Sequence, residues 1–188
     1  MTYDILLAGV GGQGVLSLAA IIAESAMAEG LKVRQSEVHG MSQRGGGVQA
    51  HLRLSDSTIA SDLIPSGKAD MILSMEPLES LRYLNWLKPE GVVVTAAEPF
   101  VNIGNYPEAE TVYATIKKLP KSSIVKTAEL AKEAGNIKTE NMVLIGAALK
   151  YLPLKKETIE KSVHARFAVK DPRLVDINMK ALELGANA

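Results

Sequence analysis

Six consecutive residues near the start of the chain, Gly9-Val10-Gly11-Gly12-Gln13-Gly14, combine G-x-G-x-x-G spacing with the residue type that lets a bulky group reach the backbone. An apolar run ending at Ala8 precedes them and a second, from Val15 to Ala20, follows. That order reads as strand, turn, helix. A helix starting here aims its unpaired N–H groups and the positive end of its dipole at the turn. The expected chemistry is a cradle for a phosphate or another anion. The fingerprint also asks for an acid at the end of the second strand, about 20 residues on. Glu37 holds that place and could grip a ribose. The same glycines would equally serve a helix packed tightly on a strand with no ligand between them. Gly12 and the Gln13 amide also suit the turn to a polar group or a partner chain.

A second segment of the same kind is Glu37-Val38-His39-Gly40-Met41-Ser42-Gln43-Arg44-Gly45-Gly46. The Arg44 guanidinium is shaped for two-point contact with a carboxylate or phosphate. Gly45, Gly46 and Gly47 after it would leave backbone N–H groups open, as in an anion-binding nest. In a doubly wound sheet this loop leaves the carboxyl end of a strand next to the first one, so it should overhang the crevice of Gly9–Gly14. The plain alternative is a surface loop with a solvated arginine. His39 titrates in the range of a general base. With no partner beyond Glu37, it reads as an orienting group. His51, on an alternating strand, and His164, on a late helix, read as structural or solvated. These three histidines fall in no metal-ligand spacing, and the chain has 0 cysteines, so it offers no thiolate nucleophile, disulfide or cluster ligand.

The elements that must hold these loops follow from periodicity. Residues 3–8 read as a buried parallel strand and 14–29 as a helix, with Leu16, Ala19, Ala20, Ala23, Ala26 and Met27 on its apolar face and Gly30 as its stop. Leu31 to Val38 is the next strand, completing a β-α-β unit. Residues 48–54 alternate strictly, as a half-exposed antiparallel strand does, and Thr58–Ile64 is the expected returning partner. Ala69–Met75, Gly91–Ala96 and Ser123–Lys126 read as further strands. A helix starts near Glu76-Pro77, and Thr127 caps another that ends at Gly135-Asn136. Residues 97–110 are irregular, and 139–150, 155–166 and 172–185 read as helices. The fold expected is α/β: a Rossmann-like doubly wound, mostly parallel sheet with an antiparallel hairpin insertion and a helical C-terminal third, formed as one domain over residues 1–188.

Composition narrows the function. The 21 basic and 21 acidic side chains cancel and aromatics are only 4%, so neither the charge nor the stacking surface of a nucleic-acid binder is present. No apolar run approaches the roughly 18 residues of a membrane helix, and no basic-then-apolar leader opens the chain. The lack of cysteine fits a reducing cytoplasm.

GVGGQGV after the first strand, and RGG before an alternating strand, resemble the gamma-type component of the 2-oxoacid:ferredoxin oxidoreductases. EVHGMSQRGGGVQAHLRLSD resembles the version in the beta subunit of the indolepyruvate type, and ADMILSMEPLESLR, NMVLIGAAL and DINMKALELG are similar to later blocks. The resemblance implies a subunit of an enzyme that decarboxylates 2-oxoacids oxidatively with coenzyme A and passes electrons to ferredoxin. It implies that thiamine diphosphate and the Fe–S clusters sit on a large partner subunit. Carried over by position, Gly11, Gly12, Gln13 and Gly14 line the crevice, with Gly9 opening the turn. Ser42, Gln43, Arg44, Gly45 and Gly46 form its second wall or the partner contact, with Arg44 as the anion contact for coenzyme A. Gly47 departs from the small side chain found at that place in similar chains and is expected to loosen the loop. Two other readings stay open: a freestanding NAD(P)-binding enzyme, and a scaffold that docks a partner and binds nothing. The isolated chain could also pair with a second copy.

Overall fold

The computed structural model describes residues 1–39, 45–169 and 171–188. One six-stranded sheet organises them, built from β1 (Thr2–Val10), β2 (Lys32–His39), β3 (Gly47–Ser55), β4 (Ala69–Ser74), β5 (Leu87–Ala96) and β6 (Ser122–Val125) in the order β2-β3-β1-β4-β5-β6. Strands β1, β4, β5 and β6 are parallel neighbours, and β3 runs antiparallel to both β1 and β2. The fold class is as expected, but the hairpin lies elsewhere. Thr58–Ile64 forms no strand, and β2 is the partner of β3, which separates β2 from β1.

The side chains account for that order. Val48, Ala50, Leu52 and Leu54 on one face of β3 are buried, too apolar a row for an edge. Strand β2 carries Lys32, Arg34 and Glu37, charges that suit an unpaired edge. Nor is β3 half-exposed. On its other face His51 is buried and Arg53 is mostly covered, because residues 58–64 fold over them. Ile64 N–H donates to His51 Nδ1 at 3.1 Å, and Arg53 Nη1 donates to the carbonyls of Ser61 and Leu63.

His51 is therefore structural, and this has a pH signature. Burial, with Arg53 adding, pushes its pKa below the ordinary 6.5. As pH falls through 6.5 the unfolded chain takes up the proton first, so the stability tied to neutral His51 is lost on acidification. A His51→Gln chain, which can still accept from Ile64, should lose less stability than wild type when denaturation is compared at pH 7 and about pH 5. Equal losses would contradict the assignment.

Helices cover both faces. α1 (Val15–Ala28), α4 (Thr127–Ala134), α5 (Glu140–Ala148), α6 (Lys156–Ala168) and α7 (Pro172–Ala186) pack on one side. α2 (Pro77–Arg82) and α3 (Ala109–Lys117) cover the other. The buried side of α1 runs through Val15, Leu18, Ala19, Ile22 and Ala26. Leu16 and Met27, expected on it, are 44% and 56% exposed. Thr127 is the first residue of α4 rather than its cap; its hydroxyl donates to Glu98. Gly30 and Gly135 take the left-handed conformation at their helix ends, as expected. α5 and α7 cross at Gly146 and Gly185, where a Cβ on either would meet backbone of the other helix.

Candidate functional site

The two glycine segments meet at the carboxyl edge of the sheet. Gly11 N–H donates to the Gly46 carbonyl at 2.8 Å, and Gly45 N–H donates to the Gly11 carbonyl at 3.2 Å. Gly12, Gly14 and Gly45 have φ of 106°, 83° and 78°, the left-handed region that glycine enters without penalty. Gly9 has a different place. It lies inside β1 against Val15, Gln13 and Met75, where a Cβ would come within 2.8 Å of Val15 Cγ2. Gln13 is also used internally. Its Oε1 accepts from Val10 N–H at 2.7 Å and its Nε2 donates to the Met75 carbonyl at 3.2 Å, so the amide ties β1 to the turn after β4. Gly47 is no loosened loop residue either: it belongs to β3, pairs with Val10, and faces the Glu79 carboxylate. Ser42, Gln43 and Arg44, with Gly40 and Met41, lie outside the described residues.

α1 enters this edge without a cap. Gly14 precedes it, no side chain bonds its first turn and no acid lies there. The N–H groups of Gly12, Gly14, Val15 and Leu16 have no acceptor among the described residues. Two helices that start on the same edge are closed by carboxylates. Glu76 Oε2 accepts from Glu79 N–H at the start of α2, and Glu98 Oε1 accepts from Ala128 N–H at the start of α4. An anion arriving at this edge therefore finds open donors at the glycine turn, where backbone and dipole favour it.

Two clefts flank Gly12 and Gly14. One, of about 390 Å³, has apolar walls from Val10, Val15, Leu16 and Val48. The other, of about 680 Å³, is lined by Glu98, Glu140, Lys138, Asn141 and Phe100. Burial pushes the Glu140 carboxyl above its usual range, with Glu98 adding, and the Thr127 hydroxyl bridges the two acids. The loop at residues 97–106 closes the rim: Phe100 N–H and the Tyr106 hydroxyl both donate to Glu76 Oε1, and Asn102 Nδ2 donates to the Gly45 carbonyl at 2.7 Å. None of Glu76, Glu98, Phe100, Asn102 or Glu140 carries a local sequence signature. Only their arrival from three separate segments marks them. Glu79, beneath Gly47, is buried with its Oε2 unpartnered among the described residues, and burial pushes its carboxyl up.

Glu37 stands apart from the turn. It lies two residues before the end of β2, opposite Ala50 of β3, with β3 between it and β1, and it accepts from Gln35 Nε2. A ribose held at the end of the strand adjoining β1 is not what this order offers.

The sheet with its inserted antiparallel strand thus sets a glycine turn against a second glycine segment. Residues 4–188 match the family described as pyruvate ferredoxin/flavodoxin oxidoreductase, and the chain belongs to it. It is 41% identical over 196 residues to the indolepyruvate oxidoreductase subunit IorB of Pyrococcus horikoshii, an alignment covering 99% of this chain and 95% of that one. The keto/oxoacid ferredoxin oxidoreductase gamma subunit of Geobacter sulfurreducens superposes with a TM-score of 0.73 at 26% identity, covering 98% and 96% of the two chains. The 2-oxoglutarate:ferredoxin oxidoreductase of Magnetococcus marinus, a structure with 2-oxoglutarate, coenzyme A and succinyl-CoA bound, superposes with a TM-score of 0.78 at 20% identity. That likeness is one of fold; it covers 99% of this chain but only 30% of the longer one.

Proposed function

We propose that this chain is the small, single-domain subunit of a cytoplasmic indolepyruvate-type oxidoreductase, and that its glycine crevice holds coenzyme A beside the active site of a larger partner. The partner carries thiamine diphosphate and the Fe–S clusters, since a chain with 0 cysteines supplies no cluster thiolates. There the 2-oxoacid loses carbon dioxide, its acyl group passes to the coenzyme A thiol, and the electrons leave toward ferredoxin.

The observation that carries this reading is the pairing of Gly11 with Gly45 and Gly46, which sets an uncapped helix and a second glycine loop around one opening. The N–H groups there, without an acceptor among the described residues, suit the diphosphate of coenzyme A. The apolar cleft beside them suits its pantetheine arm. Arg44 follows as the side-chain contact to phosphate. The freestanding NAD(P) reading has no support from Glu37, which β3 separates from β1. The test is the affinity of the assembled complex for coenzyme A with and without the Arg44 guanidinium. Loss of affinity supports the reading. Unchanged affinity in a normally assembled complex overturns the Arg44 contact.

A further inference from the structure

Among the described residues, nine large apolar side chains are exposed, and they are unevenly placed. Met1, Met27, Leu63 and Val169 are scattered, which is ordinary for a protein surface. Leu16, Val38, Phe100, Val101 and Ile137 all belong to the carboxyl edge of the sheet: the start of α1, the end of β2, the loop after β5 and the turn before α5. Two of these are consecutive. Phe100 is 42% and Val101 70% exposed, at the tip of the loop that rims the crevice.

That loop is held from beneath. Glu76, buried and itself the cap of α2, takes the Phe100 N–H and the Tyr106 hydroxyl on one oxygen, and Asn102 reaches the Gly45 carbonyl. One backbone bond at Phe100 and side-chain bonds from Asn102 and Tyr106 hold the loop on both sides of Val101, whose side chain stands in solvent beside the part-exposed Phe100 ring. A loop so held gives up little further freedom when something settles on it, the property that makes an aromatic residue an effective anchor. In the longer Magnetococcus chain the same fold is 30% of the polypeptide, so there the remaining length is covalently attached. In the Pyrococcus horikoshii subunit the matched fold is 95% of the chain, so there the rest of the oxidoreductase meets it as a separate polypeptide.

Building on the functional reading above, we propose that residues 97–106 are the docking strap for the large thiamine-bearing subunit, with Phe100 and Val101 entering an apolar recess on it. Because Asn102 holds Gly45, and Gly45 and Gly46 pair with Gly11, a subunit seated on the strap also steadies the opening of the glycine crevice. Docking and coenzyme A binding then meet in one piece of backbone.

The experiment co-expresses this chain with the large subunit and measures their dissociation by sedimentation. Four forms are compared: wild type, Phe100→Ser/Val101→Ser, Val101→Ser, and Met27→Ser as an exposed apolar control at the far end of α1. Thermal melting of each isolated chain checks the fold. The expected result is at least a tenfold weaker association for the double variant, a smaller loss for Val101→Ser and none for Met27→Ser, with melting temperatures unchanged. If the double variant melts early, Val101→Ser alone decides. Full association by a well-folded strap variant, or equal weakening by Met27→Ser, overturns the strap. A wild-type chain that never joins the large subunit contradicts the underlying functional reading instead.

Discussion

An Arg53→Ala chain is expected to lose about 3–5 kcal/mol of stability, because it strands a buried carboxylate. Asp4 and Arg53 face each other across the β1–β3 pair. The guanidinium meets the carboxylate at two points, Nε to Oδ1 at 2.8 Å and Nη2 to Oδ2 at 3.1 Å, with the Asp4 side chain 6% exposed. Its remaining nitrogen holds the Ser61 and Leu63 carbonyls, so the loop over β3 also loses its anchor. For a chain of this size the loss corresponds to a fall of roughly 6–20 °C in melting temperature. The paired replacement Asp4→Leu/Arg53→Met should be milder than Arg53→Ala, since removing both charges leaves none unpaired. Calorimetry on the three chains checks this. A single variant within about 1 kcal/mol of wild type would show that the pair contributes little.

The second large effect lies at the crossing of α5 and α7. A Cβ on Gly185 would stand 1.9 Å from the Val143 carbonyl oxygen, and one on Gly146 would stand 2.1 Å from that of Leu182. The obstacle is backbone on both sides, which no rotamer change relieves. In an isolated helix, replacing glycine by alanine helps by about 1 kcal/mol. Here Gly185→Ala should instead cost about 3 kcal/mol or more, by forcing the helices apart and opening the core they close. Gly146→Ala should behave alike, and the double variant should cost less than the sum, because the helices separate only once. Chemical denaturation measures all three. A stabilised Gly185→Ala chain would contradict the packing.

These two sites show where the sequence is readable and where it is not. The β1–turn–α1 unit is legible because strand, glycine turn and helix are contiguous and each carries its own period. The meeting of the two glycine segments is expected for a reason that fails: β2 is not beside β1, and the second segment reaches the turn because it leads into β3, whose Gly47 pairs with Val10. The place of β3 does not follow. Alternation of Val48, Ala50, Leu52 and Leu54 with Gln49, His51 and Arg53 describes an edge strand and a covered inner strand equally well. What decides is a loop at residues 58–64 that covers the polar side. α3 is missed because only Val112 and Ile116 among its nine residues are buried, too few to set a period. The blocks NMVLIGAAL and DINMKALELG are recognisable as strings, yet their reason is a glycine-to-backbone contact between distant helices. Within the site, Gln13 reads as an available amide until its bonds to Val10 and Met75 are seen. The acids of the second cleft come from residues 98 and 140, and nothing in either neighbourhood signals the other.

Calorimetric titration of coenzyme A into the assembled complex decides whether the glycine crevice takes coenzyme A once the partner is in place. Wild type, Arg44→Lys and Arg44→Ala are compared, with assembly verified for each. Arg44→Ala should bind roughly 10- to 100-fold more weakly, the worth of one charge-assisted contact, and Arg44→Lys, which keeps the charge but not the fork, should fall between. Equal affinity in all three complexes would contradict coenzyme A binding in the crevice.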